Sequence, residues 1–147
     1  MTTITLVAIR VVLADDSVAV RDVLVRILER EPDIALVAIA EDEPTLLAAI
    51  DESRPDVVVT DVRMPPTGTD EGVRVAERLA TTQPRIGVVI LSQYSDPSWL
   101  SRVFGRTAEN RGWVMKERVN AKGQLLSAVK AVHRGERWMD PSVVAPE

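Results

Sequence analysis

Five times along the chain, a short run of β-branched and other apolar residues is followed by a longer segment whose apolar residues recur every three to four positions. The runs are Ile9 to Ala14, Ile34 to Ala40, Val57 to Thr60, Ile86 to Leu91 and Gly112 to Met115. Between the first two, Val20, Val23, Leu24, Ile27 and Leu28 form the stripe of a core-facing helix. Asp16 or Ser17 can cap its start, and Pro32 marks its end. Pro44 opens a second helix carrying Leu46, Leu47 and Ile50, which Pro55 stops. Val73, Val75, Ala76 and Leu79 lie on a third, closed by Pro84. Asp96-Pro97 is a cap and first-turn proline for a fourth, and Leu125, Val129 and Val132 carry a fifth, ended by Gly135. Near-continuous apolar strands alternating with helices require a parallel sheet covered on both faces. The expected fold is therefore α/β, a single doubly wound (βα)5 flavodoxin-like domain with a five-stranded parallel sheet in the order 2-1-3-4-5.

In an open sheet of this kind, sites form outside the carboxyl ends of the strands. Four polar groups stand there: Asp15-Asp16 after the first strand, Asp61 after the third, Ser92 after the fourth and Lys116 after the fifth. Singly, each has an ordinary reading as a helix cap, a turn residue or a solvated side chain. Jointly they converge on one crevice. Two carboxylates about 4 Å apart repel by about 4 kcal/mol at an effective dielectric near 20, so three in one place call for a proton or a cation. Mg²⁺ resolves the conflict, with Asp15, Asp16 and Asp61 as ligands and the Arg63 backbone carbonyl as a further oxygen. An ammonium (Lys116) and a hydroxyl (Ser92) facing such a centre suit a phosphoryl group. Asp61, alone before the turn-rich MPPTGTD loop, is the expected nucleophile, since carboxylates accept phosphoryl groups as aspartyl phosphate.

Composition removes several alternatives. There is no cysteine and only one histidine, His133, which excludes thiolate sites and multi-histidine zinc. The net charge of −4 and an aromatic content of 3% argue against nucleic-acid binding by this segment itself. No apolar run reaches the length of a membrane span. The opening MTTITLVAIRVVLA carries its charge at Arg10, inside the apolar stretch, which reads as a first strand of a cytoplasmic protein rather than a secretory leader. Neither G-x-G-x-x-G nor a Walker pattern is present, against a nucleotide or flavin binder.

The stretches VVLADDS, DVVVTDVRMP, VVILSQY and GWVMKE resemble the receiver (response regulator) domains of two-component signalling over roughly residues 9–138. The ending LLSAVKAVHRGERWMDPSVV is similar to receivers that precede a LuxR/NarL-type helix-turn-helix domain. The resemblance implies a phosphorylation-dependent switch that catalyses its own phosphotransfer and dephosphorylation rather than a turnover enzyme. It implies Asp61 as phosphoacceptor, Asp15 and Asp16 as the metal-binding pair, Ser92 as switch hydroxyl and Lys116 as the phosphoryl-stabilising lysine. Trp113 matches the switch aromatic, usually Tyr or Phe, and Arg63 and Tyr94 occupy positions that tune phosphoryl lifetime. The implied partners are a cognate sensor histidine kinase, a second copy of the chain, and DNA through a separate output domain. Residues 1–138 are expected to form the receiver and 139–147 to begin a linker or C-terminal tail. Departures are Glu117 where many receivers carry proline, and FGRTAENRGW, a long charged segment expected to reshape the surface of the fourth helix. A haloacid dehalogenase-like phosphohydrolase would place its nucleophile after the first strand, the reverse of the order here. A degenerate receiver, acting as an interaction module without phosphorylation, is the other alternative. His133 is expected to meet a helix dipole, and Trp99 and Trp138 to serve packing or an interface.

Overall fold

The computed structural model describes residues 7–105, 109–119 and 123–143. In chain order the elements are β1 (Ile9–Ala14), α1 (Val18–Glu29), β2 (Ile34–Ala40), α2 (Glu43–Ser53), β3 (Val57–Asp61), α3 (Glu71–Thr82), β4 (Gly87–Ser92), α4 (Pro97–Phe104), β5 (Arg111–Met115), a 3-10 turn (Lys116–Arg118), α5 (Gln124–His133) and β6 (Trp138–Met139). The strands form one parallel sheet in the order β2-β1-β3-β4-β5-β6. The expected five-strand order is present, extended by a sixth strand at the β5 edge. That strand is two residues long, pairing Gly112 with Trp138 and Trp113 with Met139, too short to leave a period in the sequence.

Successive strand residues point to opposite faces, and the sheet is apolar on both. Val12, Ala14, Val58, Val88, Ile90 and Trp113 belong to a core shared with α2, α3 and α4. Val11, Leu13, Val57, Val59, Val89, Leu91 and Val114 belong to a second core shared with α1 and α5. This double burial explains why the strands read as unbroken apolar runs. Ser17, not Asp16, caps α1, accepting from the Val20 amide at 3.3 Å. Asp42 caps α2 through the Thr45 amide at 2.8 Å, and Asp96 caps α4 through the Ser98 amide at 2.8 Å. Arg102 holds α4 to α3 through Asp70 at 2.7 Å and Glu77 at 2.6 Å.

Residues 106–108 of the FGRTAENRGW segment lie outside the described residues. After β6, Asp140 and Val143 are buried, while Pro141 and Ser142 between them are exposed. No helix among the described residues is long and apolar enough to cross a membrane. The parallel register sets Ala14 beside Thr60, Asp61 beside Leu91, and Ser92 beside Met115. The carboxyl ends of β1, β3, β4 and β5 therefore finish at one level, and residues at and just beyond them share one crevice.

Candidate functional site

The chain leaves β1 at Asp15, whose side chain is fully buried, while Asp16 projects into solvent. Asp15 Oδ1 accepts the Ser17 amide at 2.9 Å, so the same turn that starts α1 orients this carboxylate. Asp61 is the last residue of β3 and is 7% exposed. One carboxylate oxygen from each of Asp15, Asp16 and Asp61 lies within 4.8 Å of the others. The sequence thus brought the three acids into one cluster from strand ends alone.

Lys116, the first residue after β5, reaches across this cluster. Its Nζ donates to Asp61 Oδ2 at 2.9 Å and stands 3.1 Å from Asp15 Oδ2. Burial pushes the Asp61 carboxyl up to about 6; Lys116 opposes the rise, and the Asp15 and Asp16 charges add to it. Burial works against the Lys116 charge, yet Asp61 and Asp15 outweigh it and hold the ammonium above the usual lysine range. The site thus keeps its lysine charged, and its central carboxylate is ionised at neutral pH but poorly satisfied. The donor set suits a hard divalent cation such as Mg²⁺. Three carboxylate oxygens are clustered, Asp15 Oδ2 is buried without an aligned hydrogen bond, and exposed Asp16 leaves a side open to water.

A cleft of about 270 Å³ opens over the cluster, lined by Asp16, Asp61, Arg63, Ser92, Tyr94 and Lys116, among others. Ser92 is buried at the end of β4, and its hydroxyl is engaged locally. It donates to the Tyr94 carbonyl at 2.6 Å and accepts the Tyr94 amide at 3.0 Å. Arg63 lies over both the Tyr94 and Trp99 rings, 5.4 Å from each centroid. Trp113 is placed apart from the cleft. It is fully buried in the α2–α4 core between Ile90 of β4 and Met139 of β6, and its indole nitrogen has no hydrogen-bond partner among the described residues.

Two supporting residues were not anticipated. Gly72 sits in the first turn of α3, where a Cβ would come within 2.0 Å of the Asp61 carbonyl oxygen. Its amide donates to the Val62 carbonyl at 2.9 Å, so the helix start is pressed against the strand end that carries Asp61. Glu71, wholly buried, gathers the loop after β3: its carboxylate accepts the Thr67 amide at 2.7 Å, the Thr69 amide at 3.0 Å and the Thr67 hydroxyl. Burial alone would raise the Glu71 carboxyl, but these donors outweigh it and hold it down at about 2. An acid following a Thr/Gly-rich loop was the available signal, and it has the form of an ordinary helix start.

Comparison with known proteins agrees with this geometry. A family model described as the response regulator receiver domain matches residues 11–130. The oxygen regulatory protein NreC of Staphylococcus haemolyticus is 31% identical over 131 residues, covering 89% of this chain and 58% of the relative. The chain therefore spans about three fifths of the length of that relative. A LuxR family response regulator from Aurantimonas sp. SI85-9A1 superposes with a TM-score of 0.78 at 28% identity, covering 92% of each chain. The isolated receiver domain of RcsB from Salmonella enterica serovar Typhimurium, solved with phosphomimetic BeF3⁻, gives a TM-score of 0.78 at 25% identity, covering 92% of this chain and 96% of that one. On the clustered acids and lysine, the strand order and these matches, the chain belongs to the response regulator receiver domain family.

Proposed function

We propose that this chain accepts a phosphoryl group on Asp61 and acts as a phosphorylation-dependent switch. The observation that carries the reading is the Lys116 ammonium held between Asp61 and Asp15 at 2.9 and 3.1 Å, over a three-carboxylate cluster. Asp15, Asp16, Asp61 and the Arg63 carbonyl would hold Mg²⁺. When bound, the ion neutralises charge on the phosphoryl oxygens.

The donor is phosphohistidine on a sensor histidine kinase. A carboxylate oxygen of Asp61 attacks phosphorus, the P–N bond breaks, and the departing imidazole takes up a proton. Burial and two neighbouring acids leave the Asp61 carboxylate short of partners, so its ground state is poorly stabilised. Lys116 gives up part of its contact with the carboxylate and turns its charge to the product oxygens. Ser92 can donate to a phosphoryl oxygen only by releasing the Tyr94 carbonyl, which couples the new charge to the loop after β4. Arg63 lines the cleft and lies over Tyr94 and Trp99, a position from which it tunes the lifetime of the product. Trp113 starts buried, so its response to phosphorylation is a repacking within the α2–α4 core rather than a swing inward from solvent.

The face formed by α4, β5 and α5 changes on phosphorylation and engages a second copy of the chain, and transcription is controlled through a separate DNA-binding domain. That the chain spans 58% of the length of an NreC relative supports such a further domain. The phosphorylated unit runs through β6 to the buried Asp140 and Val143. The decisive experiment is acetyl phosphate labelling with Mg²⁺. Stoichiometric, base-labile phosphate is expected on the native chain and none on Asp61→Ala; label persisting in D61A overturns the assignment.

A further inference from the structure

At the outer edge of β5, the short β6 ladder stops after Met139, and one side chain continues it. The Asp140 amide donates to the Trp113 carbonyl at 2.9 Å, and Asp140 Oδ2 then accepts the Met115 amide at 3.1 Å. Asp140 Oδ1 accepts the Ser142 amide and hydroxyl at 2.9 and 2.7 Å and stands 3.0 Å from Arg118 Nε. Asp140 is 1% exposed. This carboxylate therefore touches the residue immediately before Lys116 and the residue two after it. No sheet neighbour could satisfy the Met115 amide on that side, because β6 has already ended.

We propose that Asp140 is a positioning residue for the phosphorylation site: it fixes the end of β5 and the following 3-10 turn, and so holds the Lys116 ammonium over Asp61 and Asp15. The inference rests on the function proposed above and adds a residue outside the cleft to it. Lys116 has a long, flexible side chain whose reach is useful only if its backbone is fixed. An unpaired Met115 amide beside a buried strand end would let that backbone drift to find another acceptor. Coupling of this kind is reciprocal. If the Asp140 anchor tightens the grip of Lys116 on a phosphoryl group, then a bound phosphoryl group tightens the anchor by the same factor. The segment from Trp138 to Val143 thereby receives the signal.

The test is a beryllofluoride titration with Mg²⁺, read together with amide hydrogen exchange, on the whole chain. Asp140→Ala is expected to weaken beryllofluoride binding about tenfold, the factor a lost buried hydrogen bond can transmit. It is also expected to speed exchange at Met115 by a similar factor. D140N keeps an oxygen for the Met115 amide and is expected to retain most of the affinity. Beryllofluoride is expected to slow exchange at Trp138 to Asp140 in the native chain and not in D140A. Val129→Ala, a buried α5 truncation away from the site, controls for destabilisation and is expected to leave the affinity within twofold. An unchanged affinity or unchanged Met115 exchange in D140A overturns the proposal, as does a loss in V129A equal to that in D140A. If D140A does not fold, D140N decides, and native-like Met115 exchange with a tenfold loss of affinity overturns the proposal. A native chain that binds no beryllofluoride at all refutes the phosphoacceptor reading itself, a distinct result.

Discussion

Replacing Asp61 by asparagine removes a charge that the folded chain holds at a cost. The carboxyl titrates at about 6 in the native protein because it is buried and faces Asp15 and Asp16, against 3.8 for an ordinary aspartate. Between those two values the native state binds a proton that the unfolded chain has released. Stability therefore falls as pH rises through the window, and above it the native state bears the whole cost. For a separation of this size the cost at pH 7 is about 3 kcal/mol at most, and water in the open cleft reduces it to roughly 1–3 kcal/mol. Asparagine is nearly isosteric with the protonated carboxyl. Asp61→Asn is thus expected to stabilise the chain at pH 7 by that amount, raising the unfolding midpoint by roughly 3–10 °C for a domain of this size. The assay is thermal unfolding of native and D61N chains in chelator at pH 7, 5 and 4. The gap should shrink below pH 6 and nearly close by pH 4. Millimolar Mg²⁺ should raise the native midpoint and leave D61N much less affected. A D61N chain no more stable than the native one at pH 7 without metal would refute the reasoning, because it would mean that the acid cluster carries no strain.

Further predictions concern the supports of the site. Gly72→Ala forces a methyl against the Asp61 backbone oxygen, so α3 or β3 must shift; a loss of about 1–3 kcal/mol is expected by denaturant unfolding, with weaker phosphorylation of Asp61. Glu71→Gln is expected to cost about 1–3 kcal/mol at pH 7, since it replaces a carboxylate that collects the 67–69 loop. Glu71 is depressed to about 2 in the native chain, so its contribution is present above the ordinary 4.5 and lost as pH falls from there toward 2; the E71Q deficit should shrink over that interval. Ser92→Ala is expected to leave acetyl phosphate labelling of Asp61 in place but reduce the change in Tyr94 and Trp99 fluorescence on labelling, because the loop no longer has a hydroxyl to exchange.

The main supports of the site differ in how visible they are in the chain. Asp15, Asp61, Ser92 and Lys116 are legible because a parallel strand buried on both faces is an apolar run with a sharp polar end. The end of each run therefore names a residue at the sheet's carboxyl edge. Glu71 and Gly72 were not legible as site residues. Glu71 has the form of an ordinary acidic helix start, and the need for glycine at 72 comes from an α3 backbone that meets β3 across the loop. Trp113 was identified by its position, but its burial between Ile90 and Met139 depends on a sixth strand that two residues could not announce.

The order of apolar runs, helices and terminal polar residues was enough to dictate a doubly wound parallel sheet and to name the acids and the lysine that would meet. That information is local and periodic, and burial of two sheet faces imposes it on every strand. Tertiary structure alone decided which contacts those groups make: Lys116 between two carboxylates, Ser92 bound back to its own loop, and Asp140 bridging the end of β5. Each of these depends on where a side chain from one element ends relative to the backbone of another, a distance set by packing across the sheet and carried by no single stretch of sequence.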